Sequence, residues 1–280
     1  MLIYKKIRNR LLSISVFIIS IIVFQLFCFN MAEAQCYHKN TSFKAGEKLY
    51  YNVFYKLGFI NIKLADVVLW VEESTYHNKN VFVFKNKTVS VPKYEWIIKV
   101  NDHYASYVDK NTMKVYKHVQ KTVVDDYFTD YEYYFDHPEN KLYASIENSK
   151  TKRYLDTLDL NSCLHDLLSA CYYPRNIDYS KLKVNEKIFL PVVLNTDIKK
   201  IHYRYLGKET ISIKKNRKLK CIKIAPLLVQ TSIYKAGEKM TVWLSDDKNR
   251  VPVLMESDLW VGKISVQPTG YEGLLYQAEY

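Results

Sequence analysis

The chain has 280 residues, with 41 Lys and Arg against 29 Asp and Glu, a formal charge of +12 at pH 7. Tyrosine is exceptionally common at 25 residues, whereas glycine and proline number seven each, which excludes low-complexity repeats and flexible linkers as organising features. The length suffices for one large β domain, or two small ones, with a sizeable core.

Residues 1–34 read as a secretory leader rather than as part of the fold. Lys5, Lys6, Arg8 and Arg10 precede a nearly unbroken apolar run from Leu11 to Phe29, and Ala32-Glu33-Ala34 supplies small residues at the positions a signal peptidase reads, with cleavage between Ala34 and Gln35. The run approaches membrane-spanning length, so an uncleaved anchor is the alternative. Neither Cys28 nor Cys36 follows the small residue that a lipobox requires. The expected destination is the periplasm or the exterior, with residues 35–280 as one β-rich domain. The remainder stays basic after the leader is removed. That suits anionic lipid headgroups or acidic polysaccharide, or simply a lysine-guarded soluble surface. Nucleic acid is not an expected partner outside the cell.

A six-residue string then occurs twice. Phe43-Lys44-Ala45-Gly46-Glu47-Lys48 and Tyr234-Lys235-Ala236-Gly237-Glu238-Lys239 each run into a strand-like segment. The expectation is one turn chemistry used at two strand entries, with Gly46 and Gly237 supplying permissive backbone. Alternating and β-branched segments predict strands at Glu47–Lys56, Phe59–Glu72, Val81–Ser90, Lys114–Val124, Tyr127–Phe135, Leu142–Asn148 and Arg153–Asp156. Leu57-Gly58 marks the first turn. Lys93–Tyr107 reads as a short helix or a distorted strand. Asp159–Tyr173 predicts the one clear helix: Cys163, Leu164, Leu167, Leu168 and Cys171 share a face, Asp159 or Asn161 caps its start, and Pro174 ends it. It either links two β lobes or packs across one curved sheet. Further strands are predicted at Lys187–Leu194, Lys199–Leu206, Thr210–Lys214, Leu219–Leu228, Lys239–Ser245, Val251–Trp260 and Gly262–Gln267.

Cys36, Cys163, Cys171 and Cys221 permit disulfides in an exported chain. Eight residues of helix rise about 12 Å, too far for the about 7 Å that a Cys163–Cys171 bridge allows. A partner for either is then Cys36 or Cys221, unless both are small apolar residues on a buried face. No spacing suggests a metal site or a cofactor, and no phosphate loop, nucleophile elbow or His-Glu-x-x-His pair is present. Asp125, Asp126, Asp130, Glu132 and Asp136 stand among aromatics. They are either the carboxylates of a hydrolase cleft or the wet side of a strand pair. The basic run Lys214, Lys215, Arg217, Lys218, Lys220 and Lys223 reads as a hairpin tip. Asp246, Asp247 and Asn249 form a polar turn without the spacing of a calcium loop.

Four segments together resemble the domain of unknown function 3108 family of exported Gram-negative proteins. They are Phe43–Tyr51, Asp166–Arg175, Val242–Asp247 with Arg250–Val253, and Gly262–Ile264 with Gly270-Tyr271. The Lys-Ala-Gly-Glu before the Trp243 strand and the Tyr-x-Gly ending resemble its Bacteroidetes branch. Family members usually run a Tyr-Leu-Arg-like end to the helix, where this chain has Pro174 before Arg175. The resemblance implies a mainly β fold, a large curved antiparallel sheet of the lipoprotein-carrier-like half-barrel type with one central helix packed against it. It implies no activity, cofactor or catalytic residue. The expected function is non-enzymatic: the concave sheet binds a lipid, a lipoprotein chain or another apolar envelope ligand, with Tyr51, Trp70, Trp243 and Trp260 as candidate contacts. A glycan-binding module and a carboxylate-dependent hydrolase are the alternatives.

Overall fold

The structure is a computed structural model. It describes residues 39–160, 163–213, 217–228 and 237–278. The leader with Ala34, Gln35 and Cys36, the alternative cap Asn161, Lys214 and Lys215, and Tyr234–Ala236 of the second string lie outside the described residues. The described chain falls in one compact unit, Lys39–Tyr280.

That unit is mainly β. Its strands are β1 (Lys48–Leu57), β2 (Ile60–Tyr76), β3 (Lys79–Ser90), β4 (Val100–Asp109), β5 (Val115–Val124), β6 (Tyr127–Asp136), β7 (Lys141–Asn148) and β8 (Thr151–Asp159). After the helical segment come β9 (Lys187–Leu194), β10 (Asp197–Ser212), β11 (Lys218–Pro226), β12 (Met240–Ser245), β13 (Pro252–Asp258) and β14 (Lys263–Glu272). All 14 form one sheet in the order β8-β7-β6-β5-β4-β3-β2-β1-β14-β13-β12-β11-β10-β9, antiparallel throughout. Two meanders are thus joined where the first strand pairs the last. Of the two arrangements open from the sequence, this is the single sheet. Its 14-strand span is curved by bulges, among them Tyr50/Tyr51, Val53/Phe54 and Tyr205/Gly207. The last explains why the two predicted strands Lys199–Leu206 and Thr210–Lys214 are one strand, β10, with a kink.

The helix is shorter than its apolar pattern predicts. α1 spans Leu167–Tyr172. Two interactions stop it from starting at Asp159 or Asn161. β8 continues as strand to Asp159, and His165 makes a parallel bridge to β9 through His165 N→Pro191 O at 3.0 Å and Val193 N→His165 O at 2.9 Å. Asp166 is the cap: its side chain accepts from Leu168 N and Ser169 N, and Ser169 returns a bond to the Asp166 backbone. Pro174 then opens a 3-10 turn, Tyr173–Asn176. α1 packs on the adjacent strands β3 and β4 and also on β9 at the far edge of the strand order, so the sheet curves around it. Between the third and fourth strands, Lys93–Tyr107 resolves into a 3-10 turn at Pro92–Tyr94 and then β4.

The concave face is filled by the protein's own side chains. Phe43 meets Phe84 at 5.3 Å and Tyr172 at 5.2 Å, and Phe84 stacks on Tyr172 at 4.1 Å. Tyr131, Tyr133, Phe135 and Leu142 continue this core across β6 and β7, while Tyr173, Tyr203, Tyr205 and Ile224 build its counterpart in the other wing. Eight tyrosines, among them Tyr131, Tyr172 and Tyr203, are thereby buried in a packed interior. Cys163 is disulfide-bonded, while Cys171 and Cys221 are free thiols.

Candidate functional site

The segments that stand out in the sequence meet at one buried point. Arg175, 1 % exposed, binds Glu47 in both directions of its fork, Nη1→Oε1 at 2.6 Å and Nη2→Oε2 at 2.8 Å. Its Nε and Nη2 also donate to Asn249 O at 3.2 and 3.0 Å, and Nη2 to Ser42 O at 3.2 Å. The guanidinium lies over the rings of Phe43 and Tyr172. Ser42 Oγ and Arg250 Nη1 donate to Arg175 O, and Arg250 also reaches Ile177 O. Burial works against the Arg175 charge, but the Glu47 carboxylate outweighs it and raises the Arg175 pKa. The first string, the helix end and the β12–β13 turn are thereby tied into one hub.

The second string repeats the device. Glu238 accepts from Arg204 Nε at 2.7 Å and Nη2 at 2.9 Å, and lies 2.6 Å from His202 Nε2. The Arg204 bonds, with help from His202, hold its carboxyl down at about 2. Gly46 at φ 90° and Gly237 at φ 107° take the left-handed backbone that points each glutamate at its arginine.

A second buried polar cluster joins β4, β5 and α1. Ser106 Oγ donates to Asp166 Oδ1 at 2.7 Å and lies 2.8 Å from His118 Nδ1, which is itself 3.1 Å from Asp166 Oδ1. All three residues are fully buried. Their types are those of a nucleophile triad, but the geometry is not. Ser and Asp share one ring nitrogen, whereas a triad places them on opposite nitrogens of the histidine. The cluster anchors the helix cap to the sheet and has no access for a substrate.

The remaining sequence candidates separate cleanly. Tyr51 is 2 % exposed and donates to Pro252 O. Trp243 is 8 % exposed, donates to Glu209 at 2.8 Å and carries Lys223 over its ring. Trp70, half-buried, donates to Glu72 under Lys85. These three are spent on the scaffold, and only Trp260, 56 % exposed, faces outward. The hydrolase expectation fails its geometric condition. Asp130 and Glu132 project from the face of β6 opposite to buried Tyr131 and Tyr133 and are taken up by Arg153, Lys121 and Lys117. Asp125 binds Lys99 N, and Asp136 caps its own turn at Glu139 N. Asp247 is saturated by Ser245, Asn249 N and Arg250 N, and no metal-holding group occurs among the described residues.

Asp102, which sequence reading passed over, sits inward on β4 with Thr122 and Tyr104 as hydrogen-bond partners. Burial raises its pKa to about 6, above those bonds' lowering effect. A raised carboxyl pKa means the fold prefers the protonated form, so Asp102 lowers stability above pH 6 and relieves that cost as pH falls toward its unfolded value of about 4. Asp102→Asn is expected to raise Tm at pH 8 and to leave it unchanged at pH 4; equal shifts at both would contradict this.

One groove has the composition of a ligand site. It measures ≈ 420 Å³ and runs from the β10–β11 hairpin across β13 to the end of β14. Ile211, Leu219, Val253 and Leu254 form its floor, with Arg217 and Glu256 on its walls. Leu219 and Cys221 alternate with Ile222 and Ile224 of the inner core, so the groove opens on the sheet face away from α1. Glu256 is neutralised by Lys56 at 3.4 Å, whereas Arg217 has no ion pair among the described residues.

Comparison with known proteins bears on the fold and the family. The family model described as "Protein of unknown function (DUF3108)" matches residues 50–267. No curated protein matches the chain. The crystal structure of a β-barrel-like protein of domain of unknown function DUF1849 from Brucella abortus is similar over 82 % of this chain and 98 % of that one, at 9 % identity and a TM-score of 0.53. A protein described as exported, with a YmcC-like fold, from Bacteroides fragilis aligns over 84 % and 99 % at 8 % identity, with a TM-score of 0.35.

Proposed function

This chain belongs to the DUF3108 family of unknown function, and from that premise we propose that it is an exported, non-enzymatic envelope protein that binds an anionic amphiphile in the groove between β10–β11, β13 and β14. The observation that carries the reading is the groove itself, an apolar floor of Ile211, Leu219, Val253 and Leu254 beside Arg217, a cation with no ion pair among the described residues. Its ≈ 420 Å³ is the size of a small-molecule site, and an apolar lining with few polar groups is the usual composition of one. A single acyl chain with a carboxylate or phosphate head satisfies both features. Export is supported by the leader-like start and by the disulfide at Cys163, a bond that persists in oxidising compartments. The non-enzymatic reading is supported by the burial of the two polar clusters, whose Arg175, Glu47, Ser106, His118 and Asp166 side chains are closed to a substrate.

The purified exported protein is expected to carry lipid detectable by mass spectrometry and to bind a fluorescent fatty acid. Leu254→Asp is expected to weaken that binding at least about tenfold, the effect of withdrawing one apolar contact and burying a charge. Arg217→Ser is expected to weaken the acid but not the corresponding alcohol. Lipid-free protein with no fatty-acid binding would refute the reading. A glycan-binding module has one observation in its favour, the exposure of Trp260.

A further inference from the structure

Of the seven glycines, six take a left-handed φ that accounts for them, and Gly270 is the exception. It stands inside β14, paired with Tyr50 beside the bulge at Tyr50/Tyr51. That bulge does not ask for it, since the bulge type that selects glycine holds it in the left-handed region. Space does not ask for it either: a Cβ at Gly270 would meet only Tyr50 Cδ2, at 3.8 Å, an ordinary contact. A glycine weakens a strand interior, and where neither backbone nor packing requires it, the remaining use is close approach of another molecule to the main chain. Gly270 lies on the β14 wall of the groove, whereas Arg217 stands at the β10–β11 wall.

Beyond Gly270 the same sheet face carries a second hollow, of ≈ 680 Å³. Leu49 and Tyr51 are buried on the inner side, so Tyr50 between them points outward, and its cross-strand partners Gly270 and Val68 share that face. Tyr50, Val68 and Trp70 line the second hollow. Tyr50, held by its bond to Glu272 at 3.1 Å, therefore borders Gly270 on one side and this hollow on the other. Two strand spacings of about 4.8 Å each carry the path from Gly270 across β1 to Val68, about 10 Å in all. The acids and Lys48 along this lining are paired within the protein: Lys48 with Glu272 at 3.9 Å, Glu72 with Lys85 and Glu73 with Lys110 at 2.7 Å each, and Glu47 with Arg175. Lys87 has no ion pair among the described residues, but it is exposed and keeps its water. An occupant of the second hollow thus meets the apolar surface of Val68, Tyr50 and Trp70.

We propose that the groove does not end at β14 but continues over Gly270 onto Val68 and Trp70, and that its ligand is a long-chain anionic amphiphile with its head at Arg217 and its tail in the second hollow. The inference rests on the amphiphile reading of the groove and adds the length and direction of the ligand. The head belongs at Arg217, because the other charged group of the groove, Glu256, is taken by Lys56. From there the floor of Leu219, Val253 and Leu254 leads to Gly270. A short chain occupies that floor alone, and the methylenes of a longer one are buried only where the path over Gly270 is open.

The test is calorimetric titration of the purified exported protein with saturated fatty acids of roughly 10 to 18 carbons, in which each methylene that becomes buried tightens binding about three- to fourfold. The wild-type protein is expected to gain affinity up to the longest acids. Gly270→Val sets a branched side chain on the path. It should match wild type for the shortest acids, then stop gaining, and bind the longest at least about tenfold more weakly, the effect of two or more methylenes left in water. Its Tm should be no lower than wild type, because valine favours a strand. Val68→Ser leaves the backbone and the groove untouched and should weaken the longest acids alone, which keeps the proposal testable if Gly270→Val perturbs the fold. A wild-type curve that levels off at the shortest acids overturns the proposal. So does a Val68→Ser variant with wild-type affinity for the longest acid, or a folded Gly270→Val variant whose chain-length curve coincides with that of wild type. In each of these the shorter acids still bind, and the amphiphile reading of the groove stands. Absence of binding at every chain length overturns that reading, and this one with it.

Discussion

Arg175→Met is expected to destabilise the protein by about 3–5 kcal/mol, the cost of leaving a buried charge without its partner. The stranded group is Glu47, which has no exposure and no other side-chain partner in the hub. The same change frees Asn249 O and Ser42 O, so it loosens the β12–β13 turn and the first string together. The double variant Glu47→Leu, Arg175→Met is expected to be more stable than Arg175→Met alone, because removing both charges removes the desolvation penalty as well. Urea unfolding of wild type, both singles and the double closes the cycle. Additive losses would mean that the pair is not coupled and that the hub owes its order to the neighbouring Phe43 and Tyr172 rings. By contrast, Glu238→Gln at the second string should cost no more than about 1 kcal/mol, since that carboxylate is partly solvated and its pairs are those of a protein surface.

The strand pattern was legible because alternation and turn residues are local. Leu57-Gly58 and the polar turn before Val251 both fall at strand ends where the spacing places them. The family-like segments were legible as patterns but not as a site. Phe43–Lys48, Arg175 and Asn249-Arg250 lie at least 74 residues apart along the chain, and the closure of β1 on β14 brings them together. Even the departure at Pro174 proved harmless to Arg175, since the 3-10 turn that the proline opens delivers the guanidinium to Glu47. The helix is shorter than its apolar pattern because that pattern runs through His165, whose backbone pairs with β9 instead. Aromatic richness predicts a ligand surface, yet Tyr51 and Trp243 are buried, each with its polar tip in a hydrogen bond to the scaffold. What no local pattern shows is which turns share an edge. That Phe59, Trp96 and Trp260 stand on neighbouring turns follows from strand order.

Asp166→Ala is expected to cost about 3–5 kcal/mol, the second large effect. It removes the α1 cap, worth about 1 kcal/mol, and strands Ser106 and His118 in the core, at about 1–3 kcal/mol for each unpaired polar group. Asp166→Asn separates the two contributions. An amide oxygen still accepts from Leu168 N and Ser169 N, so the cap survives, while the negative charge beside His118 is lost. The asparagine variant should therefore fall between wild type and alanine. The pH dependence gives the sign independently. Burial pushes the Asp166 carboxyl upward, but the charge and hydrogen bond of His118, with Ser106 and Ser169 N, outweigh it and hold the carboxyl at about 2. A depressed carboxyl pKa contributes stability that is complete above the unfolded value of about 3.9 and is lost as pH falls through about 2. The stability gap between wild type and Asp166→Asn should thus be widest above pH about 5 and narrow between about pH 4 and 2, as read by urea midpoints. A gap that stays constant across that range would show that the carboxylate charge is not what holds the helix to the sheet, and would leave the cap and its shape as the whole of the residue's role.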